Sequence, residues 1–280
     1  MQTAYFNGEF APRESVRISP DDRGFLFSDG VYEVLRAYGG VLFETERHLE
    51  RLAGSLRAMR IRGADTEGLA ATFGELLARN GLSSADGLIY LQVTRGVAPR
   101  SHRFPAPPVP PTVFACAWEY TPDHPPEAGG HAITVGDQRW ARCDIKTTGL
   151  ISNCLASQAA SDAAAVEAIF VRDGVALEGT HTNLFAVTRG RVRTAPLTNY
   201  ILPGVTRAVV LELCADAGYE VVEEPIFEEE LYRADEVFIV GTTAEVTPIL
   251  GLNGKVVGTG RPGTFALDLL NRLRTRARAV

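Results

Sequence analysis

The sequence predicts an α+β chain in two lobes, and three observations predict it. Most β-like segments are joined by short glycine turns, which favours antiparallel hairpins over βαβ units. These turns are Asn7-Gly8, Gly39-Gly40, Asp173-Gly174, Arg189-Gly190 and Asn253-Gly254. Helical periodicity is confined to a few segments. Finally, 280 residues correspond to about two domains at roughly 150 residues each. The Pro- and Gly-rich stretch 121–130 is the natural linker. The expected division is 1–120, linker 121–130 and 131–280.

The elements follow in order. Residues Ala4–Phe10 and Val16–Ile18 read as short strands around Asn7-Gly8. Gly30–Tyr38 and Val41–Phe43 flank the next hairpin. A helix starts at Thr45, with Leu49, Leu52, Leu56 and Met59 on one face. Thr66 is the expected cap of a second helix carrying Leu69, Phe73, Leu76 and Leu77, and Gly81 stops it. Leu88–Thr94 and Thr112–Trp118 are β-rich. Past the linker come a strand at Ala132–Asp137 and a small-residue helix near Asn153–Ala164. Strands at Glu167–Arg172 and Asn183–Thr188 are next. A helix at Val205–Ala217 ends at Gly218. Strands Tyr219–Glu224 and Glu236–Val240, the Asn253-Gly254 hairpin and a helical tail from Pro262 complete the chain.

Composition excludes several classes. The net charge of −6 argues against a nucleic-acid binder. No apolar run approaches the roughly 18 residues of a membrane span, and the N-terminus has no signal-peptide pattern. Four scattered cysteines and five histidines without paired spacing argue against a disulfide framework or a metal site. The dinucleotide, P-loop and serine-hydrolase motifs are absent. These features predict a soluble, cytoplasmic protein. Among 28 Lys+Arg, only Lys146 and Lys255 are lysine. Arginine cannot give up its proton in a protein, whereas lysine can become a neutral nucleophile. A lysine in so arginine-rich a chain is therefore a candidate for chemistry. Lys255 follows a type I′ turn signal, where a lysine is an ordinary surface charge.

Lys146 lies in Arg142-Cys143-Asp144-Ile145-Lys146-Thr147-Thr148-Gly149, ahead of the small-residue helix. It reads either as a loop lysine or as a Schiff-base lysine. Leu177-Glu178-Gly179-Thr180-His181-Thr182-Asn183 reads either as a turn or as a ligand site whose carboxylate pairs with a ring nitrogen. Leu202-Pro203-Gly204-Val205-Thr206-Arg207 opens a helix, and a free helix N-terminus favours an anion. Gly241-Thr242-Thr243-Ala244-Glu245 offers similar donors after an apolar strand. Two anion sites, one lysine and one isolated acid suggest a phosphorylated cofactor with a basic ring, pyridoxal 5′-phosphate (PLP).

These blocks resemble the fold-type IV PLP enzymes. Asp22-Arg23-Gly24, Asp29-Gly30-Val31-Tyr32-Glu33 and His48-Leu49-Glu50-Arg51-Leu52 look like the family's N-terminal blocks, so the likeness covers nearly the whole chain. It implies a small N-terminal α/β lobe and a larger C-terminal pseudo-barrel lobe that binds PLP. It implies Lys146 as the Schiff-base and catalytic residue, and Glu178 on the pyridine nitrogen. Arg51, Val205, Thr206, Thr242 and Thr243 would hold the phosphate. Leu202 would be an apolar pad, Arg139 would lie near the ring's phenolic oxygen, and His181, Thr182 and Asn183 would lie beside the cofactor. Val93-Thr94-Arg95-Gly96-Val97-Ala98-Pro99-Arg100-Ser101-His102 is similar to the loop of bacterial D-amino-acid aminotransferases. There, Arg100, His102 and Tyr32 would bind the substrate carboxylate, with Arg100 and His102 reaching across a homodimer interface. The implied reaction is ping-pong transamination between a D-amino acid and a 2-oxo acid. The same fold also houses (R)-selective amine transaminases, branched-chain aminotransferases and aminodeoxychorismate lyases. Two departures bear on specificity: Thr180-His181-Thr182 replaces a serine-rich run, and Gly241 stands where a hydroxyl residue is common.

Overall fold

In the computed structural model, which describes residues 2–279, the chain forms two compact units. The first comprises residues up to Thr121 together with Ile145–Leu150; the second comprises Pro122–Asp144 and Ile151–Ala279. The short segment carrying Lys146 therefore belongs to the first unit, although the sequence on either side of it belongs to the second.

In the first unit, β1 (Thr3–Phe6) and β2 (Glu9–Pro12) form the Asn7-Gly8 hairpin. Then follow the short helix α1 (Arg23–Phe27), β3 (Gly30–Tyr38), β4 (Val41–Leu42), α2 (Thr45–Met59), α3 (Leu69–Arg79), β5 (Gly87–Thr94) and β6 (Thr112–Glu119). The six strands make an antiparallel sheet in the order β2-β1-β6-β5-β3-β4. Its core joins Val31, Leu35, Ile89 and Leu91 of the sheet to Leu52 and Leu56 of α2 and to Phe73, Leu76 and Leu77 of α3. Burying each such side chain contributes about 1.5–3 kcal/mol. Ile145 joins the same core, which anchors the Lys146 segment by burial of its neighbour.

The second unit contains β7 (Gly130–Gly136), α4 (Ile151–Asp162), β8 (Glu167–Arg172), β9 (Val175–Gly179), β10 (Asn183–Thr188), β11 (Arg191–Thr194), α5 (Val205–Asp216), β12 (Val221–Glu223), β13 (Ile226–Phe227), α6 (Glu228–Leu231), β14 (Glu236–Gly241), β15 (Glu245–Leu252), β16 (Lys255–Val256) and α7 (Thr264–Arg278). The path β10-β14-β15-β7-β8-β9 closes on itself where Glu178 of β9 pairs with Asn183 of β10. The result is a barrel-like ring of six strands. Phe185 and Phe238 stack across β10 and β14, their centroids 5.1 Å apart.

Three local expectations are corrected. Val16–Ile18 is irregular, because the chain makes a 3-10 turn at Arg13–Ser15 and no strand pairs with it. The second helix starts at Leu69 with Gly68 at its cap; residues 67–68 form a turn, and the Asp65 carboxylate accepts from Glu67 N at 3.0 Å. Val175–Gly179 is a strand rather than a connection, paired with β8 through the Asp173-Gly174 turn. Among the described residues no helix is long and apolar enough to cross a membrane, and no cluster of His, Cys, Asp or Glu could hold a metal.

Candidate active site

The Lys146 segment lies alongside β3. Tyr32 N donates to Lys146 O at 3.1 Å, and Thr148 N donates to Gly30 O at 3.1 Å. Lys146 N donates to Ser55 Oγ of α2 at 3.3 Å. The backbone is thereby tied to a strand and a helix, and the side chain extends to Tyr32, with Nζ 4.1 Å from the ring centroid. Tyr32 and Lys146, both expected at the site, are thus neighbours within one unit.

The residue after Tyr32 is Glu33, which is fully buried. His48 and Arg51 are three apart on α2, so one helix face brings both to it. Arg51 donates to both Glu33 oxygens, at 2.8 and 2.7 Å, and His48 Nδ1 lies 2.8 Å away. Burial alone would raise the Glu33 pKa, but the Arg51 charge and hydrogen bonds outweigh it and hold the carboxyl at about 2. Burial lowers the His48 pKa in spite of Glu33. Both shifts act in one direction on stability. The ionised Glu33 contributes above its unfolded value of 4.5, and that contribution, on the order of 3 kcal/mol, is lost as pH falls toward about 2. His48 folds preferentially neutral, so protonation below about 6.5 also weakens the fold. Melts of wild type and Glu33→Gln should therefore differ most near neutral pH and converge as pH falls from about 5 toward about 2. A gap that stays constant with pH would count against this assignment.

Arg100 and His102 are exposed on the loop after β5. The Arg100 guanidinium lies 5.3 Å from the Phe27 ring centroid, and the His102 ring lies 5.7 Å from it. The structure brings these two expected substrate residues onto one aromatic ring.

In the second unit, Glu178 sits at the closure of the barrel and is buried. Its carboxylate accepts from Arg139 Nη1 at 2.5 Å, Asn183 Nδ2 at 3.1 Å and Leu202 N at 3.1 Å. Glu178, Arg139, Asn183 and Leu202 are thus joined in one network. Asp137, which no sequence motif marked, grips Arg139 through both oxygens. Burial opposes the Arg139 charge, but Asp137 and Glu178 outweigh burial and raise its pKa. Asn183 also donates to Leu202 O, and a Cβ on Gly204 would collide with Asn183 Oδ1. Only glycine fits there, and it is the N-cap of α5. That cap has no side-chain hydrogen bond, and the first amides of such a helix, here at Val205 and Thr206, favour an anion. Thr242 and Thr243 lie half-buried in the β14–β15 turn.

The hydroxyl run after Glu178 is used differently from the expected ligand donors. Thr180 and Thr182 donate their hydroxyls to buried Glu167, at 2.6 and 2.8 Å, and Thr180 N adds a third bond at 3.0 Å. His181 is largely exposed, its Nδ1 3.4 Å from Glu167. Glu167 was missed in the sequence. The signal was an acid opening the apolar run Glu167-Ala168-Ile169-Phe170-Val171, where burial demands partners. A Cβ on Gly241 would meet His181 O and the Thr182 methyl at 3.3 Å, so glycine suits this tight approach.

A PLP-sized ligand needs an amine, a carboxylate for its ring nitrogen and donors for its phosphate. The chain holds all three: Lys146, a buried Glu178 and an α5 N-terminus without a side-chain cap. The residues present fit the group. The fold and these residues define an aminotransferase. The family model "Amino-transferase class IV" matches residues 30–252, and the chain belongs to that family. It is 40% identical over 270 residues to the D-alanine aminotransferase of Bacillus licheniformis, covering 96% of this chain and 95% of that protein. It is 42% identical over 271 residues to that of Staphylococcus haemolyticus, with the same coverages. Among solved structures, a T.th. branched-chain amino acid aminotransferase complexed with N-(5′-phosphopyridoxyl)-L-glutamate superposes with a TM-score of 0.90 at 29% identity, covering 99% of this chain and 94% of that one.

Proposed function

We propose that this enzyme transfers the amino group of a D-amino acid such as D-alanine to a 2-oxo acid such as 2-oxoglutarate or pyruvate. The observation that carries the reading is the Arg100-Ser101-His102 loop, exposed beside Phe27, in a chain 40% identical to a D-alanine aminotransferase. An arginine fork beside an imidazole suits a carboxylate.

Bound PLP supplies an aldehyde carbon that bonds amines and a ring that withdraws electrons. The chain's residues supply the rest. Lys146 Nζ would be the amine that holds that aldehyde carbon, and its free amine would be the base that takes the proton from the substrate Cα. Glu178, ion-paired to Arg139, holds a proton at the ring nitrogen. Asn183 and the Leu202 amide fix that carboxylate, and the Leu202 side chain pads the ring. Arg51, the Val205 and Thr206 amides and the Thr206, Thr242 and Thr243 hydroxyls hold the phosphate. Thr182 and His181 shape the turn over Glu167, and Tyr32, Arg100 and His102 bind the substrate carboxylate. Arg139, gripping Glu178, also serves the ring's phenolic oxygen. Two half-reactions on one site give ping-pong kinetics. We place the enzyme in the cytoplasm as a homodimer in which Arg100 and His102 serve the partner's site; all four cysteines are free thiols.

The test is a panel of donors with a 2-oxo acid: D-alanine, L-leucine, (R)-1-phenylethylamine and aminodeoxychorismate. D-alanine should lead. Arg100→Ala should raise its KM by roughly 10-fold to 100-fold, the worth of a charged hydrogen-bonded pair, and spare donors without a carboxylate. L-leucine leading the panel, or equal losses on all donors, would overturn the reading.

A further inference from the structure

We propose that Arg23 is a positioning residue that holds the Arg100–His102 loop ready for the substrate carboxylate, an inference that rests on the function proposed above. Arg23 opens α1 and its side chain is buried, although it carries a charge. Its Nε donates to Asp29 Oδ2 at 2.8 Å. Its Nη1 donates to Ser101 O at 2.5 Å and approaches Arg103 O at 3.4 Å. Those two carbonyls bracket His102. The guanidinium therefore joins a buried carboxylate to the backbone of an exposed loop.

The anchor is itself braced. Asp29 accepts two further bonds from Arg95, at 2.8 and 2.9 Å. Arg95 also donates to Met59 O and Arg60 O, at 2.7 and 2.9 Å, at the end of α2, and lies 3.6 Å from the Phe104 ring centroid at the far end of the loop. Arg23 lies 4.8 Å from the centroid of Phe27, the ring that Arg100 and His102 approach. Loop backbone, aromatic pad and both carboxylate donors are thus registered to one guanidinium.

The physical consequence is pre-organisation. Ordering a free loop residue costs conformational entropy, and a loop already ordered spares the substrate that cost. Only a forked, permanently charged donor spans the carboxylate and the carbonyls together; an ammonium is a single point. Arg23 touches no reacting atom in this scheme. Its loss should therefore appear in the KM for carboxylated donors rather than in kcat.

The experiment compares holoenzymes of wild type, Arg23→Gln, Arg23→Lys and Arg100→Ala. Steady-state rates are taken with D-alanine, single turnovers with D-alaninol, which lacks the carboxylate, and thermal midpoints are recorded. Both Arg23 variants should raise the D-alanine KM about tenfold, the worth of one charged hydrogen bond, with kcat and the D-alaninol rate within about twofold of wild type. A D-alanine KM within twofold of wild type in a folded Arg23 variant overturns the inference, as do equal losses on the two donors. Failure of both Arg23 variants to fold also overturns it, since the role would then extend beyond the loop. Wild type without D-alanine turnover, or Arg100→Ala with an unchanged KM, would instead overturn the functional reading itself.

Discussion

Lys146→Arg should keep the positive charge and lose transamination by roughly 10⁴-fold or more, because on the proposed function it removes both the nucleophilic amine and the base. Guanidinium stays protonated at any working pH, so it can neither bond an aldehyde carbon nor accept the substrate's α-proton. The fold should tolerate the change. The structure ties residue 146 down through its backbone and through the burial of Ile145, while the side chain lies against the Tyr32 ring. An arginine can occupy that face. Borohydride should fix the cofactor to Lys146 in wild type, as read by peptide mass, and the purified protein should be yellow. The control is Lys255→Arg. Lys255 is exposed on β16, 4.9 Å from the Tyr232 ring centroid, where arginine serves equally well, so its activity should be that of wild type. A Lys146→Arg enzyme with substantial turnover would sink the assignment.

Glu178→Gln should lower kcat by about 10²–10³-fold, the worth of a charge aimed at the place where charge develops, while the variant folds. The amide is isosteric, and its oxygen can still accept from Asn183 Nδ2 and the Leu202 amide, although its NH2 cannot accept from Arg139 as the carboxylate does. Arg139 keeps its paired bonds to Asp137, so no buried guanidinium is stranded. On the proposed function, what disappears is the negative charge that would hold a proton on the ring nitrogen and keep the ring electron-withdrawing. Absorbance of the bound cofactor should persist, and single-turnover loss of the α-deuteron from labelled D-alanine should slow in parallel with kcat. If the variant turns over D-alanine at the wild-type rate, Glu178 does not serve the ring nitrogen.

The extent to which the site was legible varies with the kind of residue. Lys146 stood out because arginine otherwise supplies nearly every cation. Glu178 stood out as an acid followed by glycine at the end of an apolar run, and Val205-Thr206 as a helix opening behind Pro-Gly. Each is a local pattern with a local physical cause. Glu33, Asp137 and Glu167 were less legible. The partners of Glu33 lie 15 and 18 residues away on α2, and those of Glu167 lie 13 and 15 residues away across a turn. Asp137 pairs with Arg139 only two residues on, but nothing local says that this pair will go on to hold Glu178. The threonines at 180 and 182 show the same limit in reverse: their chemistry suited a ligand, and folding directed them to Glu167.

By itself the sequence determined the α+β class, nearly every hairpin and helix, and the residue types that suit a phosphorylated, ring-bearing cofactor. Periodicity, turn residues and proton chemistry act over a few residues, and these features are written at that range. Only the tertiary structure decided that the segment around Lys146 belongs with the first unit, that Glu178 meets Asn183 at the closure of the barrel, and that buried Arg23 ties Asp29 to the carbonyls on either side of His102. Those arrangements depend on which distant groups must satisfy one another's charges and hydrogen bonds once water is excluded.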